Sequence, residues 1–138
     1  MAEPGLVDFQ RSLNKLDSGG SNDKLEDKME VRMQGSYELA DRELVAEGAD
    51  LRVQVLTLAA GQCVPWHYHS EITDAFVCLE GPMVVETRAP RNEYLLTPGQ
   101  RCAVPPRTAH YVHGQADGPC KFLIVQGVGV YDFVPVGT

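Results

Sequence analysis

From about Ser36 onward the chain is written in short runs of apolar and polar residues, each closed by Gly or Pro. "LRVQVLTL", residues 51–58, sets Leu51, Val53 and Val55 against Arg52 and Gln54, and that period of 2 belongs to a strand. "AAGQ" ends the run. "DAFVCLEG" is a stretch of strand formers stopped at Gly81-Pro82, and "MVVETR", "YLLTPGQ", "CAVPPRT", "AHYVHG", "CKFLIVQ" and "VYDFVPV" follow it. Strands recurring about every eight to twelve residues indicate a sandwich or barrel. No convincing helical period appears after residue 36, so the expected fold class is all-β.

The first 35 residues are different. "NKLDSGGSNDKLEDKMEVRMQG" is rich in charge, Ser and Gly and poor in large apolar residues, which predicts a flexible arm over 1–35, with a short helix possible around "DKLEDKMEV". The remainder, 36–138, is long enough to bury the core of one domain. A net charge of −7 argues against nucleic-acid binding, because phosphate contacts need basic residues to release counterions. No apolar run approaches the roughly 18 residues of a membrane helix. "MAEPGLVDFQ" lacks the basic and apolar regions of a secretory signal, so a cytoplasmic location is expected. Cys63, Cys78, Cys102 and Cys120 stand at wide spacings with no CxxC pair. Buried free thiols are the expectation for them rather than a zinc knuckle or a disulfide framework.

"PWHYHSEITDAF", residues 65–76, holds two of the four histidines in the chain. Side chains alternate along a strand, so His67 and His69 project to one face with Cβ atoms roughly 7 Å apart. Two imidazoles can converge from there on one divalent ion. "SEIT" lets the chain turn, and a strand starting at Asp74 could return antiparallel with its carboxylate facing the same point. An HxH alone is common by chance. Here "VPPRTAHYVHG" adds His110 at the start of another strand, just after a Pro-rich turn. Imidazole and carboxylate together suit one first-row divalent metal, such as iron, manganese, nickel or zinc.

These residues carry a family resemblance. "GQCVPWHYHSEITDAFVCLEG", Gly61 to Gly81, resembles the first cupin motif: Gly, five residues, HxH, four residues, an acid, six residues, Gly. "GQRCAVPPRTAHYVHG", Gly99 to Gly114, resembles the second, with a histidine five positions beyond Pro105. The resemblance implies a jelly-roll barrel holding a metal inside, with ligands at His67, His69, Asp74 and His110. Asp74 stands where the family usually has Glu, so either the strand lies closer or Asp74 holds a ligand histidine instead of the ion. Arg107 replaces the usual Gly before the histidine, and Gly114 replaces a final Asn.

Parity assigns the neighbours. Phe76, Cys78 and Val112 should line the cavity, as core residues, as walls of a substrate pocket, or as both. Glu80 shares their parity if its strand stays regular. His113 should face outward, and Trp66 and Tyr68 should pack on the outer sheet face or at a subunit interface. Arg107 and Tyr111, near the mouth, are candidates for holding a carboxylate or phenol, although a solvated Arg and a packed Tyr are the plainer reading. No nucleophile motif or phosphate loop appears. The resemblance therefore implies metal chemistry on a small molecule, foremost an iron-dependent dioxygenase. A non-redox isomerase or lyase, or a module that binds or senses a ligand or the metal, are the other roles such barrels take. Small cupins commonly pair, and Leu25, Met29, Val31 and Met33 of the arm could cover a sheet edge, which implies a homodimer.

Overall fold

A computed structural model describes residues 37–137. The expected arm over 1–35, with Leu25, Met29, Val31 and Met33, lies outside the described residues. Ten strands form: β1 (Asp41–Glu47), β2 (Leu51–Leu58), β3 (Cys63–Tyr68), β4 (Thr73–Glu80), β5 (Met83–Thr87), β6 (Asn92–Leu96), β7 (Arg101–Val104), β8 (His110–Gly114), β9 (Cys120–Gly127) and β10 (Val134–Pro135). They pair antiparallel into two five-stranded sheets, ordered β1-β2-β9-β4-β7 and β10-β3-β8-β5-β6. This is the all-β jelly roll that the alternation and the two motifs predict. All four cysteines are free thiols, two buried and two half-buried. Among the described residues no helix is long and apolar enough to cross a membrane.

The interior of the first sheet is organised in cross-strand rows. Leu58 sits opposite Cys120, Leu56 opposite Phe122, and Phe122 opposite Cys78. The next row up is Gln54, Ile124 and Phe76; the one above it is Arg52, Gln126 and Asp74. The second sheet repeats the gradient, with Val64, Val112 and Val85 in one row and His67, His110 and Thr87 in the next. The barrel therefore has an apolar floor, where Leu58, Cys78, Met83, Val85 and Phe122 are fully buried, and a polar upper layer. β2 thus turns Arg52 and Gln54 inward and leaves Val53 and Val55 on the outer face. Alternation gives the period; only the partner strands decide which parity is the inside.

Two bulges redirect side chains. Between Val64 and His67 the β3–β8 register shifts by one residue, so the odd spacing in β3 still leaves Val64 and His67 both buried. Such an insertion bends the strand and re-aims its side chains. Between Cys78 and Glu80 the β4–β9 register also shifts. Glu80 is consequently exposed, 4.0 Å from Lys121, which corrects its expected inward position.

Two turn residues are explained locally. Arg107 adopts φ 59°, the left-handed region that the resemblance assigns to Gly, at a cost of roughly 1–2 kcal/mol. Its backbone N–H donates to the His69 carbonyl at 2.7 Å, which ties the turn before β8 to the end of the HxH stretch. Gly114 has an ordinary φ of −74° and is required for space, since a Cβ there would lie 1.8 Å from the Gly118 carbonyl oxygen.

The rows predict an asymmetry under mutation. Phe122→Ala should lower unfolding free energy by about 3–5 kcal/mol, whereas Val55→Thr on the outer face should change it by less than about 1 kcal/mol. Urea denaturation of the full chain measures both, and equal losses would contradict the assignment of faces.

Candidate metal centre

His67, His69, Asp74 and His110 are all buried, and one ligand atom from each lies within 4.8 Å of the others. Each arrives by a different local device. The β3 bulge carries His67 inward, and its Nδ1 lies 2.7 Å from the Pro65 carbonyl inside that same bulge. His69 follows the end of β3, and its Nδ1 is bonded to the carbonyl of Asp132. His110 opens β8, with Nδ1 2.9 Å from the Thr108 carbonyl. Asp74 comes from β4 in the opposite sheet.

A carbonyl oxygen can only accept, so each Nδ1 carries the proton. Each ring then turns its Nε2 to the centre, where it donates to Asp74 when protonated and would bind a metal ion when not. Asp74 Oδ2 lies 2.8 Å from His110 Nε2, 2.9 Å from His69 Nε2 and 3.9 Å from His67 Nε2. Donors around a first-row ion at ordinary bond lengths stand roughly 3.0–3.4 Å apart. The observed separations bracket that range, so the four side chains fit a small divalent cation with shifts on the order of 1 Å.

The electrostatics follow from burial. Burial raises the Asp74 pKa, but the imidazoles of His110, His67 and His69 outweigh it and hold the carboxyl well below its usual range. Burial lowers the His67 pKa to about 4, although Asp74 opposes the shift, so this ring is neutral near pH 7. For His69 burial also pulls down, yet the bond to Asp74, the Asp74 charge and Asp132 together leave a net rise above the ordinary 6.5. Three ring nitrogens gathered around a buried carboxylate call for a cation among them, whether a proton or a metal ion.

The cavity around the cluster is lined by apolar Phe76, Val112, Phe122 and Ile124 and by polar Arg42, Arg52, Gln54 and Gln126. Tyr131 and Phe133 close it, and Phe133 stacks on His67 at 4.2 Å and 11°. The central space measures ≈ 30 Å³, on the order of two waters.

The candidates of the sequence divide accordingly. Phe76 and Val112 line the cavity. Cys78 is buried one row deeper, in the apolar core. Tyr111 points out of the barrel and stacks on Trp66 at 5.5 Å, and Arg88 covers the other aromatic ring of that pair, Trp66, at 4.0 Å. His113 faces the same way as Tyr111, bonded to Glu86 at 2.6 Å, and is half-buried there. Arg107 is exposed, with its guanidinium 3.4 Å from the Ser70 carbonyl. The Arg107 and Tyr111 side chains therefore stand apart from the cavity around the histidines. Sequence reasoning passed over Gln54, Gln126, Tyr131 and Phe133. The two glutamines share the inward parity of Leu56 and Ile124, a signal that was present. "VYDFVPV" was expected to be a strand, yet only Val134–Pro135 is one, and the irregular stretch before it supplies Tyr131, Asp132 and Phe133.

Comparison with known proteins agrees with this fold. The sequence model of the cupin domain matches residues 54–126, and the chain belongs to the cupin family. A comparison with curated protein sequences gave no match. Among solved structures, an uncharacterized conserved protein with a double-stranded β-helix domain from Klebsiella pneumoniae is 21% identical over 71% of this chain and 84% of its own, with a TM-score of 0.59. An RmlC-like cupin protein from Desulfovibrio desulfuricans is 26% identical over 63% of this chain and 80% of its own, with a TM-score of 0.53. A deletion mutant of the oxalate decarboxylase OxdC from Bacillus subtilis is 18% identical over 72% of this chain and 28% of its own, with a TM-score of 0.61.

Proton competition at this cluster has a definite sign. A metal ion must displace the proton held at His69 Nε2, whose pKa is raised above 6.5. Affinity should therefore be weaker at lower pH, where that nitrogen holds its proton more fully, while His67, lowered to about 4, adds nothing until far lower pH. Chelator competition with zinc at about pH 8 and about pH 6 measures this. Equal affinity at both would contradict it.

Proposed function

We propose that this cupin is a mononuclear-metal enzyme, a dioxygenase acting on a small organic molecule, with His67, His69, His110 and Asp74 as ligands. The observation that carries the reading is the set of three Nδ1–H bonds to backbone carbonyls, which turns three Nε2 atoms toward one buried carboxylate. A nitrogen-rich set with one oxygen and no thiolate suits iron, and also manganese, nickel or zinc. When bound, the ion would supply Lewis acidity and, as iron, redox chemistry with oxygen.

The chain's own groups favour redox over proton-transfer chemistry. Isomerases and lyases of small molecules need a general base or acid with a pKa near the working pH. Among the described lining residues Asp74 is the one carboxylate, and it is committed to the histidines. Burial pushes the Tyr37 hydroxyl up to about 12 and raises Tyr131 further, so neither is a useful base near neutrality. Phe76, Phe122, Ile124 and Val112 exclude water from one side of the site, and the small central space favours a substrate of few heavy atoms. Oxalate belongs among the molecules to test, since oxalate decarboxylase and an oxalate oxidase share the fold.

His69→Ala and His110→Ala should each retain the fold by circular dichroism yet lose most bound metal by elemental analysis. Unchanged stoichiometry in both would overturn the ligand assignment. Protein loaded anaerobically with iron(II) should consume oxygen with at least one member of a panel of small phenols, diketones, thiols and oxalate. Turnover with manganese or zinc and no oxygen uptake would replace the dioxygenase with a non-redox enzyme. Tight binding of ligand or metal without turnover would replace it with a binding module.

A further inference from the structure

The polar side chains that β2 and β9 turn inward form one connected path that ends on Asp74. Gln126 Nε2 donates to Asp74 Oδ1 at 3.0 Å. Gln126 Oε1 accepts from Gln54 Nε2 at 3.0 Å and from Arg52 Nε at 3.3 Å. Gln54 Oε1 in turn accepts from Arg42 Nε. Asp74, Gln126 and Arg52 stand directly opposite one another in a single row of the sheet, so the path follows from register.

The sense of each amide is fixed by its neighbours. A guanidinium Nε can only donate and a carboxylate oxygen can only accept. Gln126 must therefore turn its oxygen to Arg52 and its nitrogen to Asp74. Gln54 must turn its oxygen to Arg42 and its nitrogen to Gln126. Rotating either amide would set donor against donor at one end and acceptor against acceptor at the other. Both side chains are buried, at 3% and 6% exposure, so water is poorly placed to repair such a mismatch, and an unpaired buried amide is costly. A satisfied buried network of this kind locks the side chains in it.

We propose that this directed relay, with Gln126 as its last member, is a positioning device for Asp74. Gln126 occupies Oδ1, so Asp74 offers Oδ2 alone to the space among the three imidazoles, as one donor atom instead of two. Successive donations from two cations through the amides draw charge away from Oδ1. The relay also accounts for a short acid at this position: an aspartate on β4 meets the amide of the neighbouring strand directly opposite it. Gln126 acts through Asp74, and Gln54 acts through Gln126. The role rests on the metal-centre reading above.

Cobalt(II) titration of the full chain tests it, with the visible d–d absorption and chelator competition as readouts. Gln126→Met preserves volume and removes the donor to Oδ1. It should weaken cobalt binding by roughly 10–100-fold and change the d–d spectrum, because Asp74 is then free to present both oxygens. Gln54→Met should move the spectrum in the same direction with a smaller loss. In an Asp74→Ala background Gln126→Met should cost nothing further, since the group it positions is gone. Parent-like affinity and spectrum in folded Gln126→Met would overturn the proposal, as would the same loss with and without Asp74. If Gln126→Met does not fold, Gln54→Met decides, and an unchanged spectrum there overturns the relay. A parent protein that binds no cobalt overturns the metal-centre reading, and the positioning role falls with it.

Discussion

A carboxylate buried to 1% exposure needs charge compensation, and the upper half of this barrel is arranged to supply it. Solvent is excluded, so fixed donors must replace hydration. Asp74 Oδ2 faces three imidazoles and Oδ1 faces an amide. Those groups in turn need anchors. The histidines take theirs from backbone carbonyls in a bulge, a pre-strand turn and an irregular C-terminal stretch. The amide takes its own from Gln54 and Arg52 on the neighbouring strand β2. Remove the carboxylate and most of these bonds lose their common end point.

The division into an apolar floor and a polar upper layer is what makes the arrangement affordable. Leu56, Leu58, Cys78, Met83, Val85 and Phe122 form a continuous buried cluster, and burial of that kind is the main favourable contribution to folding. The polar rows lie along the same strands, beyond that cluster. A strand such as β9 thus runs from Cys120 and Phe122 through Ile124 to Gln126, from packing to chemistry within its eight residues. Most of the site is set by the sheet registers, and the end of β3 and the irregular stretch before β10 add His69 and its anchor.

Much of this was legible in the sequence, for identifiable reasons. Strand existence followed from alternation and from Gly and Pro punctuation. The four clustered side chains followed from two motifs whose spacings fit without a gap. Where parity was regular it served well: Phe76 and Val112 line the cavity, and His113 faces out. Tyr111 sits beside His110 in a regular strand, so the same rule turns it outward, and there it stacks on Trp66. Glu80 failed because a bulge is invisible to a period. Gln54 shares its inward parity with Arg52 as well as Leu56, so in β2 the buried face is half polar and period alone does not mark it; Gln126 closes the apolar parity of Phe122 and Ile124. Tyr131, Asp132 and Phe133 lie more than sixty residues from the HxH stretch in a segment with no period, so only the fold brings them to it.

The clustered side chains also come from both layers of the sandwich, three from β3, its end and β8, and one from β4. An ion held by all four would be a rivet through the barrel at its polar end, where apolar rows are absent. Binding that favours the folded chain stabilises it in proportion to the logarithm of the free ion concentration. Without the ion the polar end would be the first part to open, because local opening begins where apolar packing is thinnest. A cell short of that metal would then lose the protein itself to proteolysis, and the supply of the ion would set how long each chain survives.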